Sequence, residues 1–110
     1  MSVVAKCLLE SKIAENSQVT QYTATGVRTI IDKFTGYNYS GGPVILTVNL
    51  VPTAGAAAAA NVLLTKTISA GECYTFPEVV GNVLNPGDFF STLAGAATSI
   101  TIRMSGREIT

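Results

Sequence analysis

Pro43-Val-Ile-Leu-Thr-Val-Asn-Leu-Val-Pro52 decides the fold. Val44, Leu46, Val48 and Leu50 recur at every second residue, and Thr47 and Asn49 fall on the opposite face. That alternation marks a half-buried strand and not a helix. The two prolines close its ends, where a missing N–H breaks no ladder. Near the end of the chain the pattern returns. Ile100, Ile102 and Met104 point one way, and Thr101, Arg103 and Ser105 the other.

Working outward, further strand segments fill the chain. Val3, Ala5, Cys7 and Leu9 alternate with more polar neighbours. Gln18–Thr23, Val27–Tyr37, Val62–Ile68, Cys73–Phe76 and Asp88–Leu93 are rich in residues that suit a pleated surface. The adjacent Ile30 and Ile31 blur the alternation of their segment, which predicts burial on both sides or a bulge. Turn signals separate these segments. Asn38–Pro43 is a loop, Ala70-Gly71-Glu72 a hairpin turn, and Asn85-Pro86-Gly87-Asp88 a type II turn with glycine where positive φ is needed. Pro77–Leu84 has room for one helical turn. Short strands with a turn roughly every ten residues predict an all-β protein. The expected architecture is a single antiparallel β-sandwich, jelly-roll-like, of about seven to eight strands. Residues 18–110 form the sandwich, and residues 1–17 are either its first strand or an N-terminal arm.

Ala56–Ala60 look like the start of a helix. They follow a proline and a glycine and lie between two strands. The stretch is too short to nucleate a helix alone, since isolated helices need about 12–15 residues. It reads as a strand-to-strand loop with one helical turn, whose small side chains permit close packing.

The chain has 110 residues, which suits one domain, and 47% of them are hydrophobic. Lysine plus arginine equals aspartate plus glutamate at 7 each. A nucleic-acid binder usually carries a basic surplus or stripe, and here the cations are scattered, so no nucleic-acid partner is expected. Charged residues make up 13%, against about 25% in an average domain. So few charges at zero net charge favour association, and neighbouring subunits are expected to cover much of the surface. No run reaches the roughly 18 apolar residues of a membrane span. No signal-peptide pattern opens the chain, so it is expected to stay in a cytoplasm until assembled. Cys7 and Cys73 without any histidine make a poor metal site, and no metal or cofactor is expected. Buried free thiols are the default for an intracellular pair, with a disulfide left open.

Catalysis lacks its parts. With no histidine there is no Ser-His-Asp or Cys-His arrangement. Asp32, Glu72, Glu78 and Asp88 show no spacing that marks a carboxylate pair, and no catalytic residue is assigned. Ser40-Gly41-Gly42-Pro43 is followed by no Gly-Lys-Ser/Thr, so it is not a phosphate loop. Asn38-Tyr39-Ser40 matches the glycosylation acceptor, an unspecific pattern.

Several motifs in order carry a resemblance: Tyr22-Thr23-Ala24; Val48–Pro52 with its small-residue loop; Ile68–Glu72; Val83–Asp88; and Ser99–Gly106. This series resembles small β-sandwich structural proteins of tailed-bacteriophage virions, over about residues 18–110. The resemblance implies a capsid decoration or cement protein, made in the bacterial host cytoplasm and carried in the virion. Its partners would be copies of itself, most simply a trimer, and other virion proteins such as the major capsid protein. The alternative is a tail- or head-fibre module that binds a host surface glycan or protein. Tyr37 and Tyr39 flanking Asn38 are the candidate sugar patch for that reading. Residues 1–17 fall outside the resemblance, and an arm there could add a strand to a neighbour.

Overall fold

The computed structural model describes Met1–Thr110 as nine strands. They are β1 (Val3–Ile13), β2 (Val19–Thr23), β3 (Arg28–Asn38), β4 (Val44–Val51), β5 (Val62–Ile68), β6 (Cys73–Tyr74), β7 (Val83–Leu84), β8 (Phe89–Ala94) and β9 (Ile100–Ile109). Every pairing is antiparallel. One sheet has the order β1-β9-β3-β6, with β7 also on β3, and the other has the order β2-β8-β4-β5.

The order follows from one long hairpin rolled up. β4 pairs with β5, β3 with β6 and β7, β2 with β8, and β1 with β9. Rolling adds the contacts β3–β9 and β4–β8, which close the two sheets. With β6 and β7 counted as one interrupted strand, this is the eight-stranded jelly roll. The expected all-β sandwich is what the chain forms, with the extra strand arising from that interruption.

The core lies between the sheets. Phe34 from β3 and Phe90 from β8 meet with ring centroids 4.9 Å apart, and Phe76 sits 4.8 Å from Phe34. Ile31, Leu46, Val48, Ile68, Ile100, Ile102 and Met104 complete the layer and are fully buried. Tilted ring pairs of this kind add about 0.5–1.5 kcal/mol each beyond their buried area.

Phe76 explains the interruption. Cys73–Phe76 was expected as one strand, but pairing stops at Tyr74. Phe76 takes φ 48 and turns its ring into the core. A non-glycine residue there costs about 1–3 kcal/mol of strain. Burying a phenylalanine returns about 1.5–3 kcal/mol before the ring contacts are added. Pro77–Leu84 holds no helical turn. Val79 N–H donates to Phe76 O and Asn82 N–H to Val79 O in successive tight turns. Gly81 N–H then donates to Ile31 O, which returns the chain to β3 as β7.

β4 starts and ends where the prolines placed it, but its pattern changes halfway. Asn49 and Val51 face away from the core yet are 2% and 1% exposed, while Leu50 is half-buried. The alanine loop is the cause. It folds back over the outer face of β4, with one 3₁₀ turn at Ala59–Asn61. Asn49 Nδ2 donates to Ala58 O at 3.2 Å and to Asn61 Oδ1 at 2.7 Å, and Asn61 Nδ2 donates to Ala56 O at 2.9 Å. Gly55 sits so close that a Cβ would lie 3.3 Å from Val51 Cγ1. Small residues are needed because the loop lies flat on a sheet.

Two smaller expectations hold. The β3–β9 ladder slips between Ile31 and Lys33, the bulge signalled by the adjacent isoleucines. In the Asn85–Asp88 turn Gly87 has φ 91, and Asp88 N–H donates to Asn85 O at 2.9 Å.

Candidate interaction surfaces

No three His, Cys, Asp or Glu side chains converge in the molecule. The one concavity, of about 190 Å³, is a shallow groove on the outer face of the β1-β9-β3-β6 sheet. Lys33 and Thr35 of β3 face Ser105 and Arg103 of β9 across it. It has no apolar wall, and no general base adjoins its hydroxyls. Such a groove, with two cations in its lining, can attract an anion.

The sugar patch divides. Tyr37 and Tyr39 are exposed, 44% and 42%, but Asn38 between them is fully buried. Its Nδ2 donates to Gly42 O and Ile68 O, both at 2.8 Å, and its Oδ1 accepts from the N–H and hydroxyl of Ser40. Asn38 anchors its loop and has no capacity left for a sugar.

Edges are the more informative surfaces. β1 lies at the border of its sheet with one side unpaired. Leu8, Leu9 and the following Ala14 are buried in the core. Met1 to Lys6 are exposed, Val3 and Val4 by about half. Natural edge strands are blunted by charge, bulges or shortness. β1 has register slips after Cys7 and after Leu9, yet Val3–Cys7 is a regular and open run in which Lys6 is the one charged residue. At the opposite border, β6 and β7 expose Val80, Val83 and Tyr37 around them. In the other sheet the border strands are β2, five residues long and slipped, and β5, seven residues long on a ladder that slips at Val48/Asn49. Sequence patterning located β1 but could not show that its outer side has no partner within the chain.

The open end of β1 is held by a polar cluster between the sheets. Tyr22 of β2 donates its hydroxyl to Glu108 Oε2 at 2.6 Å and lies 2.7 Å from Thr29 Oγ1. Lys6 Nζ reaches Glu108 at 3.3 Å. Burial, together with the hydrogen bond to Glu108, pushes the Tyr22 phenol up to about 12. The same bond, joined by Lys6, holds the Glu108 carboxyl below its usual value. Glu15 is lowered likewise by Lys12 and Gln21. On the outer face, Arg107 forks onto Asp32, with Nη2 2.9 Å from Oδ1.

Both cysteines are free. Cys7 is half-buried and Cys73 is exposed, so the expectation of two buried thiols fails for Cys73. They sit on opposite borders of one sheet, separated by β9 and β3. Three inter-strand steps amount to about 14 Å, beyond the reach of a disulfide within one chain.

No family model matches this chain, and no curated protein sequence matches it. Solved structures do. A subunit from Bacillus endospore appendages, described as a novel family of disulfide-linked pili, is 13% identical with a TM-score of 0.58, covering 99% of this chain and 88% of that one. A chain of the infectious bursal disease virus Gt strain is 12% identical with a TM-score of 0.46, covering 98% of this chain and 33% of its own. At such identities the pilus likeness is one of fold, and the viral likeness is too weak to argue from.

Proposed function

We propose that this chain is a non-enzymatic structural subunit of a bacteriophage virion that decorates or cements the capsid, present in many copies and touching both itself and the shell protein. The observation that carries the reading is the open apolar edge of β1, in a molecule with zero net charge and no convergent catalytic groups. An edge strand of that length is a template for another chain. The resemblance to phage virion modules supplies the setting. The shared fold with a pilus subunit agrees with a building-block role and does not choose between capsid and fibre.

A cement protein binds the assembled shell and not its separated parts, so it stabilises the shell by mass action. Particles lacking the protein are expected to assemble, to rupture at lower temperature or under osmotic shock, and to recover when purified protein is added back. Exposed Tyr37 and Tyr39 favour a second reading, a fibre module that stacks a host glycan. That reading predicts particles of normal robustness that adsorb poorly to cells.

A further inference from the structure

The two borders of the β1-β9-β3-β6 sheet match each other. Pairing carries positions across the sheet. Val3 is level with Ile109 and Arg28, and Ile13 is level with Thr101 and Tyr37. On the far border, Leu84 is level with Thr29, Val83 with Ile30, and Cys73 with Tyr37. Both borders therefore span nearly the same stretch of β3. Strand sense also matches. β1 runs parallel to β3, and β6 and β7 run against it, because each neighbouring pair is antiparallel. A second copy displaced sideways would lay β1 antiparallel to β6 and β7 and continue the sheet.

The side chains agree in their order. Exposed Ala5 comes level with exposed Val83 and exposed Val4 with Leu84 beside it, and exposed Ile13 comes level with Cys73 beside Tyr37. Between these apolar ends β1 carries Lys6 and Lys12 with Glu10. The facing segment from Glu72 to Leu84 carries Glu72 and Glu78 and no cation. Tyr74 holds Glu78 on that border, donating at 2.9 and 3.0 Å. A two-fold contact of β1 with β1 would leave Val80, Val83 and Tyr37 uncovered. A head-to-tail contact covers both sets.

The geometry points to a head-to-tail joint between copies of this chain, in which β1 of one docks on the β6/β7 border of the next. This rests on the multi-copy structural role proposed above and names the surfaces that deliver it. Head-to-tail contacts close into a ring when the rotation per copy allows, such as a trimer, and otherwise run on as a fibre.

A cross-link tests the joint. Cys7→Ser removes the thiol outside the matched level, and Ile13→Cys then faces the native Cys73 of the next copy. Diamide, a thiol oxidant, takes up the two protons and two electrons released as each S–S bond forms. The double variant is expected to give a ladder beyond dimer on a non-reducing gel. Cys7→Ser alone, and Ile13→Cys with both native cysteines changed to serine, should stay monomeric on that gel. A second pair at the other end, Ala5→Cys with Val83→Cys in a Cys7→Ser, Cys73→Ser background, should give the same ladder and covers a failure of the first variant to fold. A mixture of Val3→Cys and Ile13→Cys chains, both lacking native cysteines, that links efficiently would show two-fold β1–β1 pairing and overturn the joint. Oligomers in sedimentation with no ladder from either pair would overturn it while sparing the multi-copy role. A monomer at high micromolar concentration would overturn both.

Discussion

The two sheets treat their outer faces differently. The β2-β8-β4-β5 sheet covers itself. Asn49, Val51 and Ser91 face outward on it, yet the alanine loop and Gln18 bury them, with Gln18 Nε2 on Ser91 Oγ at 2.6 Å. The β1-β9-β3-β6 sheet leaves its outer face to Lys33, Arg103, Arg107 and Asp32, and although both sheets have two border strands, its β1 at 11 residues is the longest of them. One sheet has spent its loops on internal closure, and the other retains the surface that another molecule can use. The low charge content therefore has two separate outlets, self-cover on one side and assembly on the other.

The largest test removes the open sheet's border. Deleting Ser2–Ser17 takes away β1 with Leu8, Leu9 and Ala14, and should abolish the cooperative thermal transition in circular dichroism. Deleting only Ser2–Ala5 should leave that transition within a few degrees, because those residues are exposed. Next comes Gly106→Ala at the centre of the same sheet. A Cβ there meets the Ile30 carbonyl oxygen and lies 2.8 Å from Leu8 Cδ1. Overpacking against backbone should cost about 2–3 kcal/mol in urea unfolding. On the self-covered sheet, Asn49→Ala leaves the carbonyl of Ala58 without its donor and takes one of two donors from Asn61 Oδ1. About 1–3 kcal/mol is expected, with faster proteolysis inside Thr53–Asn61. If the loop stays as resistant as in the parent, it does not depend on β4 for its order. Gly87→Ala should cost more than about 1 kcal/mol, since φ is 91 and the new Cβ would press on Thr53.

Tyr22→Phe, at the bolt between the sheets, should cost about 1 kcal/mol, a typical hydrogen-bond loss. Its pH signature is more specific. The Tyr22 value is raised when folded, so its contribution is complete below pH 10 and declines as pH climbs toward 12. Glu108 is lowered when folded, so its contribution is present above the unfolded carboxyl value and lost as pH falls through the folded one. Melting temperature against pH should flatten on the alkaline limb in Tyr22→Phe. An unaltered alkaline limb would mean the phenol is not what ties β2 to β9.

Strands with one wet face were legible in the sequence. β4 and β9 alternate, β5 and β8 showed themselves by residue type, and their ends lie at prolines, glycines or polar turns. An irregularity in β3 was legible too, as burial on both sides or a bulge; the slip falls at Asp32, just after the isoleucines, which keep regular pairing. Illegible features all depend on the rest of the chain. Asn49 is outward by pattern, and only a loop returning across β4 buries it. Phe76 reads as a strand residue because aromatic rings suit strands, and its inward turn reflects a space between Phe34 and Tyr74 that no local pattern encodes. Asn38 looked like a sugar ligand because its neighbours are tyrosines, whereas its four side-chain hydrogen bonds go to its own loop and to the end of β5 at Ile68. The borders were hidden for the same reason, since which strand lacks a neighbour is a property of topology.

The pairing of β1 with β9 has a consequence in time. These are the first and last strands of the chain, and Thr110 N–H donates to Ser2 O at 3.0 Å. During synthesis β1 emerges before β2 to β8 and must wait for all of them before its partner exists. β2 and β3 wait nearly as long for β8 and β9. Only the β4–β5 hairpin can zip early, so it is the natural nucleus from which the roll closes outward toward both termini. Contacts this distant in sequence slow folding, and the apolar edge of β1 stays unguarded throughout. The ribosome-bound chain is thus the state in which this protein is most exposed to mispairing with its own copies.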